Sequence, residues 1–121
     1  MVAVGGRAKQ MYEKTGYVID THTAVAAKVA NENEKSTVTL VASTASPFKF
    51  GKSVLEAVLP KEEIASLETM DDFMMSDKLA EVAKVAVPKA VSDLKGAPVL
   101  HNTVCNPDEM QSVVEKILAK K

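Results

Sequence analysis

"LVASTASPFKF", residues 40–50, decides how the chain is read. The apolar run "TVTLVA" at 37–42 empties into Ser43, Thr44, Ala45, Ser46 and Pro47, and a lysine then stands between two phenylalanines. The run is continuous rather than alternating, which is the pattern of a strand covered on both faces. Pro47 suits a first helical turn, where its missing N–H costs little. "PFKFGKSVLEAVL" at 47–59 therefore reads as a helix with Val54, Leu55 and Val58 inward, and Gly51 weakens its first turn. Two readings of the junction stay open. Open α/β folds bind ligands where a strand ends and a helix begins, which makes Ser43 and Thr44 the lip of a site. Alternatively Ser46 caps the helix, and Ser43 and Thr44 bond to nearby backbone.

Upstream, "AKQMYEKTG" at 8–16 predicts a short helix closed by Gly16, which leaves 1–7 as a linker or junction. After the extended "YVID", Asp20 is placed to cap a helix in "DTHTAVAAKVANEN", whose Ala24 and Ala27 permit close packing. "NENEKS" at 31–36 is a polar turn. Downstream, Pro60 punctuates and "KEEIASLE" is a connector. "MDDFMMSDKLAEVAKVA" at 70–86 predicts a longer helix with Phe73, Leu79, Val82 and Ala83 inward. "PKAVSDLKGA" is a short helix stopped by Gly96, and "PVLHNTV" at 98–104 is extended. Asn106 and Pro107 open a final helix with acids early and lysines late, as the helix dipole favours. The expectation is an α/β fold, mostly helical, with a few short and largely parallel strands in a single unit over 1–121. One buried strand needs neighbours, and this chain offers few. The sheet is either very small or part of a larger α/β domain.

The totals narrow the function. With 121 residues and 46% hydrophobic content, the chain can build a core. A net charge of −1 and 4% aromatics argue against a nucleic-acid surface. Cys105 is the single cysteine, so no disulfide closes within the chain, and with two distant histidines a structural zinc site is not expected. Neither a signal peptide nor a long apolar segment is present, which predicts a cytoplasmic protein without membrane contact. There is no glycine-rich phosphate loop, because "VGGR" at 4–7 lacks the preceding strand and the spacing.

Few side chains stand out as chemistry. His22 lies in the first turn of its helix, where the dipole favours the neutral ring. It is either a surface histidine or a group that donates to a ligand or moves a proton. Lys49 is either a solvated lysine or a contact for an anionic group. His101 and Cys105 are four apart on an extended stretch, which is poor spacing for a catalytic pair, and Cys105 reads as a small packed hydrophobe. Met70, Met74 and Met75 look like core or interface.

Two segments, "TGYVIDTHTAVAAKV" at 15–29 and "VASTASPFKFGKSVLEAV" at 41–58, resemble the C-terminal part of threonine synthase. The tail "APVLHNTVCNPDEMQSVVEKIL" at 97–118 looks like that family's end, particularly in its clostridial-type members. The resemblance implies part of a fold-type II enzyme dependent on pyridoxal 5'-phosphate. That enzyme converts O-phospho-L-homoserine and water to L-threonine and phosphate, by loss of phosphate from the γ-carbon and addition of water at the β-carbon. It also implies that Thr44 meets the pyridine nitrogen of the cofactor as a neutral partner, with Ser43 supporting the turn. Asp20 and Thr23 take supporting roles, His22 is a proton or substrate partner, and Lys49 attracts substrate phosphate. The family's Schiff-base lysine and its phosphate-cradling loop fall in an earlier segment that these residues do not match. The expectation is a C-terminal portion, inactive alone, that partners with the missing N-terminal part; a further reading is a fragment used only structurally, self-associating through uncovered surface. The alternative is a stand-alone small α/β module for ligand binding or protein interaction.

Overall fold

The computed structural model describes residues 2–33 and 36–119. Met1, the centre of the predicted polar turn at 34–35 and the last two lysines lie outside the described residues. Among the described residues seven α-helices follow one another: α1 (Val2–Thr15), α2 (Thr21–Glu32), α3 (Gly51–Val58), α4 (Lys61–Ile64), α5 (Asp72–Ala83), α6 (Lys89–Ser92) and α7 (Met110–Leu118). Short 3-10 turns at Pro47–Phe50, Ala65–Thr69 and Pro107–Glu109 lead into or join them.

The expected α/β class is not what the chain adopts. Among the described residues there is no strand and no sheet. The physical reason lies in the segment read as a strand, 37–42, and the one read as extended, 98–104. A strand exists through its ladder, and no backbone hydrogen bond engages 36–45 or 98–105 among the described residues. The side chains of "TVTLVA" are not buried on two faces, since Val38 is 90% and Leu40 91% exposed. Val99, Leu100 and Val104 are exposed as well. The run is as apolar as its composition says, but the described residues do not supply the covering that a buried strand demands.

The helices follow the sequence more closely. Gly16 ends α1 with a φ of +72°, a left-handed conformation that glycine adopts freely. The helix itself starts well before residue 8 and absorbs Gly5 and Gly6. Pro47 opens a 3-10 turn that passes into α3 at Gly51, so the predicted 47–59 helix forms in two pieces. Asp71 caps α5 by accepting from the Met74 N–H at 2.8 Å. At the last helix, the Glu109 carboxylate reaches back to the Asn106 backbone N–H at 2.9 Å.

The core sits around α3. Its apolar stripe buries Val54, Leu55 and Val58, as the 3.6-residue period requires. Leu55 packs with Val18, Phe48, Leu67, Met75 and Leu79 into one cluster. Leu55, Leu67 and Leu79 are essentially inaccessible to solvent, and each side chain so buried contributes about 1.5–3 kcal/mol of transfer free energy. A second, smaller cluster joins Ala8 of α1 to Ile19 and Ala24. Small residues there let α1 lie against both α2 and α3. The Tyr12 hydroxyl donates to the Val82 carbonyl at 3.4 Å, which ties α1 to the far end of α5. The predicted inward residues of α5 are partly correct. Leu79 is buried, Phe73, Val82 and Ala83 are half-buried, and Met75 and Ser76 point inward instead.

Candidate functional site

The site grows from one buried carboxylate. Val18 and Ile19 pin the "YVID" segment into the core and carry Asp20 in with them, fully buried. Asp20 then begins α2 with an extended backbone, and its side chain turns onto the exposed N–H groups of the first turn. Oδ1 accepts from the His22 N–H at 2.8 Å and from the Thr23 N–H at 3.3 Å. Oδ2 accepts from the Thr23 hydroxyl. Burial alone would push this carboxyl up. The bonds from the Thr23 hydroxyl, the two N–H groups and the His22 ring outweigh it, and the pKa is held below its ordinary value. Asp20 is therefore an ionised, satisfied hub rather than an orphan charge.

Thr23 connects this hub to the opening stretch. Its Oγ1 lies 2.9 Å from Ser43 Oγ, twenty residues on in the chain. Thr23 donates to Asp20, so its oxygen accepts from Ser43. The relay runs Ser43 to Thr23 to Asp20 and fastens the 40–46 loop to the N-terminal end of α2. Ser46 has the plainer role of a cap, because its hydroxyl accepts from the Phe48 N–H at 3.3 Å and starts the 3-10 turn. Thr44, next to the anchored Ser43, is exposed, and among the described residues its hydroxyl has no hydrogen-bond partner.

His22 stands at the edge of this arrangement. Nδ1 is 3.2 Å from Asp20 Oδ1. A carboxylate oxygen accepts, so Nδ1 carries the proton in the neutral ring and Nε2 is left as an acceptor. The side chain is 67% exposed, and its ring leans on Phe50 with centroids 5.0 Å apart. Lys49 is exposed and its Nζ lies 5.6 Å from the Phe50 ring centroid, a cation–π contact rather than an ion pair.

The structure thus brings together Asp20, His22, Thr23 and Ser43, and it sets Thr44 and Lys49 beside them on one continuous loop and turn. Phe50 is a member that the sequence did not announce. The alternation Phe48, Lys49, Phe50 carried the signal, since one ring is buried and the other is left to meet His22. His101 and Cys105 lie on the irregular 98–105 stretch, and Cys105 is half-buried. Among the described residues no cluster of three His, Cys, Asp or Glu side chains is placed to hold a metal ion, and no helix is long and apolar enough to cross a membrane.

These features define a helical scaffold whose one polar hub joins a helix N-terminus to a hydroxyl-bearing loop. No family model matches the chain. Among curated proteins, 52 residues, or 42% of this chain, are 44% identical to Threonine synthase-like 1 of Mus musculus. The matched stretch spans 7% of that protein's length. The chain is similar to a threonine synthase-like protein over a short stretch.

Proposed function

We propose that this chain forms the C-terminal part of a threonine synthase-type enzyme, a pyridoxal-phosphate lyase acting on O-phospho-L-homoserine. The observation that carries the reading is the hydrogen bond between Thr23 and Ser43. It joins the two segments, "DTHTA" and "STASPFKF", on which the resemblance to threonine synthase rests, and the short identity to Threonine synthase-like 1 agrees in direction.

The residues present suit the cofactor's ring nitrogen. Thr44 offers one unengaged hydroxyl on a loop whose neighbour is anchored, and a hydroxyl can pair with an unprotonated pyridine nitrogen. Pyridoxal phosphate, when bound, supplies the electron sink that lets phosphate leave and water add. Thr44 would hold the ring in place as a neutral partner. Ser43 and Thr23 fix the height of that loop over α2. Asp20 orients the His22 imidazole, whose Nε2 can accept a proton at the solvent-facing side. Lys49 offers a positive charge for substrate phosphate.

The remainder of such an enzyme would bring the lysine that bonds the cofactor, and it would cover Val38, Leu40, Val99 and Leu100, which this chain leaves in solvent. The 121-residue chain alone is expected to be inactive. The deciding assay is phosphate release from O-phospho-L-homoserine, with pyridoxal phosphate supplied, by the chain and by the complete enzyme. Release matched by threonine in the complete enzyme, with none from the chain, supports the reading. Absence of turnover in the complete enzyme overturns the function. Turnover by the chain alone overturns the assignment as a part.

A further inference from the structure

A cleft of about 460 Å³ opens where α1, α2 and α3 meet. Small-molecule sites fall in the range of roughly 300–1,000 Å³, so the space suits a ligand of several heavy atoms. Its floor is apolar, made by Ala8, Val25, Val54 and Ala57. Gly5 narrows α1 on one side, since a Cβ there would stand 3.7 Å from that of Ala57. The polar residues Thr21, His22, Ser53 and Glu56 complete the lining.

The charge pattern decides what such a cleft takes. The lining contains no lysine or arginine. The start of α2 faces it, yet this is not an anion site, because Asp20 already occupies the N–H groups of His22 and Thr23 with a carboxylate. The nearby basic side chains are engaged elsewhere. Lys52, one turn before Glu56, donates to Glu68 at 3.0 Å, and that bond, with the neighbouring Glu56 charge adding to it, holds its pKa above the ordinary lysine value. Lys9 pairs with Glu13 and Lys28 with Glu32. Among the described residues no ion pair engages Glu56. A largely apolar lining that includes one acidic residue outside any ion pair, two hydroxyl residues and no basic residue fits a cation with a hydrocarbon body.

We propose that this cleft binds a small apolar ammonium compound, with its hydrocarbon part on Ala8, Val25 and Val54 and its N–H groups donating to Glu56, Ser53 and Thr21. The proposal is independent of the assignment to threonine synthase. Titration of the 121-residue chain with cyclohexylammonium, cyclohexanol and cyclohexanecarboxylate, followed by ¹H–¹⁵N amide shifts, tests it. The ammonium should move the amides of His22, Val25, Ser53 and Ala57. It should bind about five-fold tighter than the alcohol, as one partly exposed charge pair allows, and the carboxylate should bind weakest. Glu56 is exposed, so Glu56→Gln should leave the fold and the alcohol affinity unchanged and erase the preference for the ammonium. Shifts confined to other amides, a carboxylate that binds as well as the ammonium, or a preference that survives in Glu56→Gln would each overturn the proposal.

Discussion

Replacing Asp20 with alanine removes the hub on which the candidate site depends, and its cost can be worked from the bonds observed. The N-cap interaction with the His22 and Thr23 N–H groups is worth about 1 kcal/mol. The bond from the buried Thr23 hydroxyl is charge-assisted and adds about 1.5–3 kcal/mol. Together Asp20→Ala should cost about 3 kcal/mol, a large share of the roughly 5–15 kcal/mol that holds a domain folded. Asp20→Asn separates the two contributions. Asparagine caps as well as aspartate, so the loss should be nearer 1 kcal/mol. Urea unfolding followed by far-ultraviolet circular dichroism measures both, with an unchanged dependence on urea showing that the unfolded state is comparable. An alanine variant within about 0.5 kcal/mol of the parent would refute the hub. So would an asparagine variant as damaged as the alanine one, because the cap that asparagine keeps would then count for nothing.

The same carboxylate sets a pH dependence. Its folded pKa is lowered, so its stabilisation is complete above the ordinary carboxyl value, about 4, and is lost as pH falls through the lower folded value. The parent should lose stability below about pH 4 more steeply than Asp20→Asn, and equal acid titrations of the two proteins would contradict this. Leu55→Ala empties the centre of the main cluster and should cost about 2–5 kcal/mol in the same urea assay. Lys84 closes α5 in a left-handed conformation with φ 54°, so Lys84→Gly should stabilise by about 1 kcal/mol. The uncharged, uncovered run around Val38 and Leu40 should make the chain associate as concentration rises, and Leu40→Lys should suppress this in sedimentation velocity.

What could be read from the sequence was local. Asp20 as a cap, Gly16 and Gly96 as left-handed stops, Pro47 as a first-turn residue and the Val54, Leu55, Val58 stripe all follow from chemistry within one turn of the chain. What could not be read was the identity of the partner. "TVTLVA" has the composition of a buried strand, but burial and ladder bonds are supplied by neighbours, and no pattern in residues 37–42 says whether they exist. The same limit hid the contact of Phe50 with His22 and the bond from Ser43 to Thr23, which span 28 and 20 residues. Lys84 shows a milder case: nothing in a lysine marks it for a left-handed cap, and the turn between α5 and α6 imposes it. The candidate site was legible as two separate motifs, and their junction through one buried carboxylate was not.

The proposed function places Thr44 against the ring nitrogen of pyridoxal phosphate in a threonine synthase-type enzyme. The most direct measurement is the cofactor absorbance spectrum and the turnover of O-phospho-L-homoserine in the complete enzyme carrying Thr44→Val, beside Thr44→Ser. Loss of the hydroxyl should shift the cofactor band and cut turnover, and serine, which keeps the hydroxyl, should restore both toward the parent. A valine variant with the parent's spectrum and rate would contradict the account.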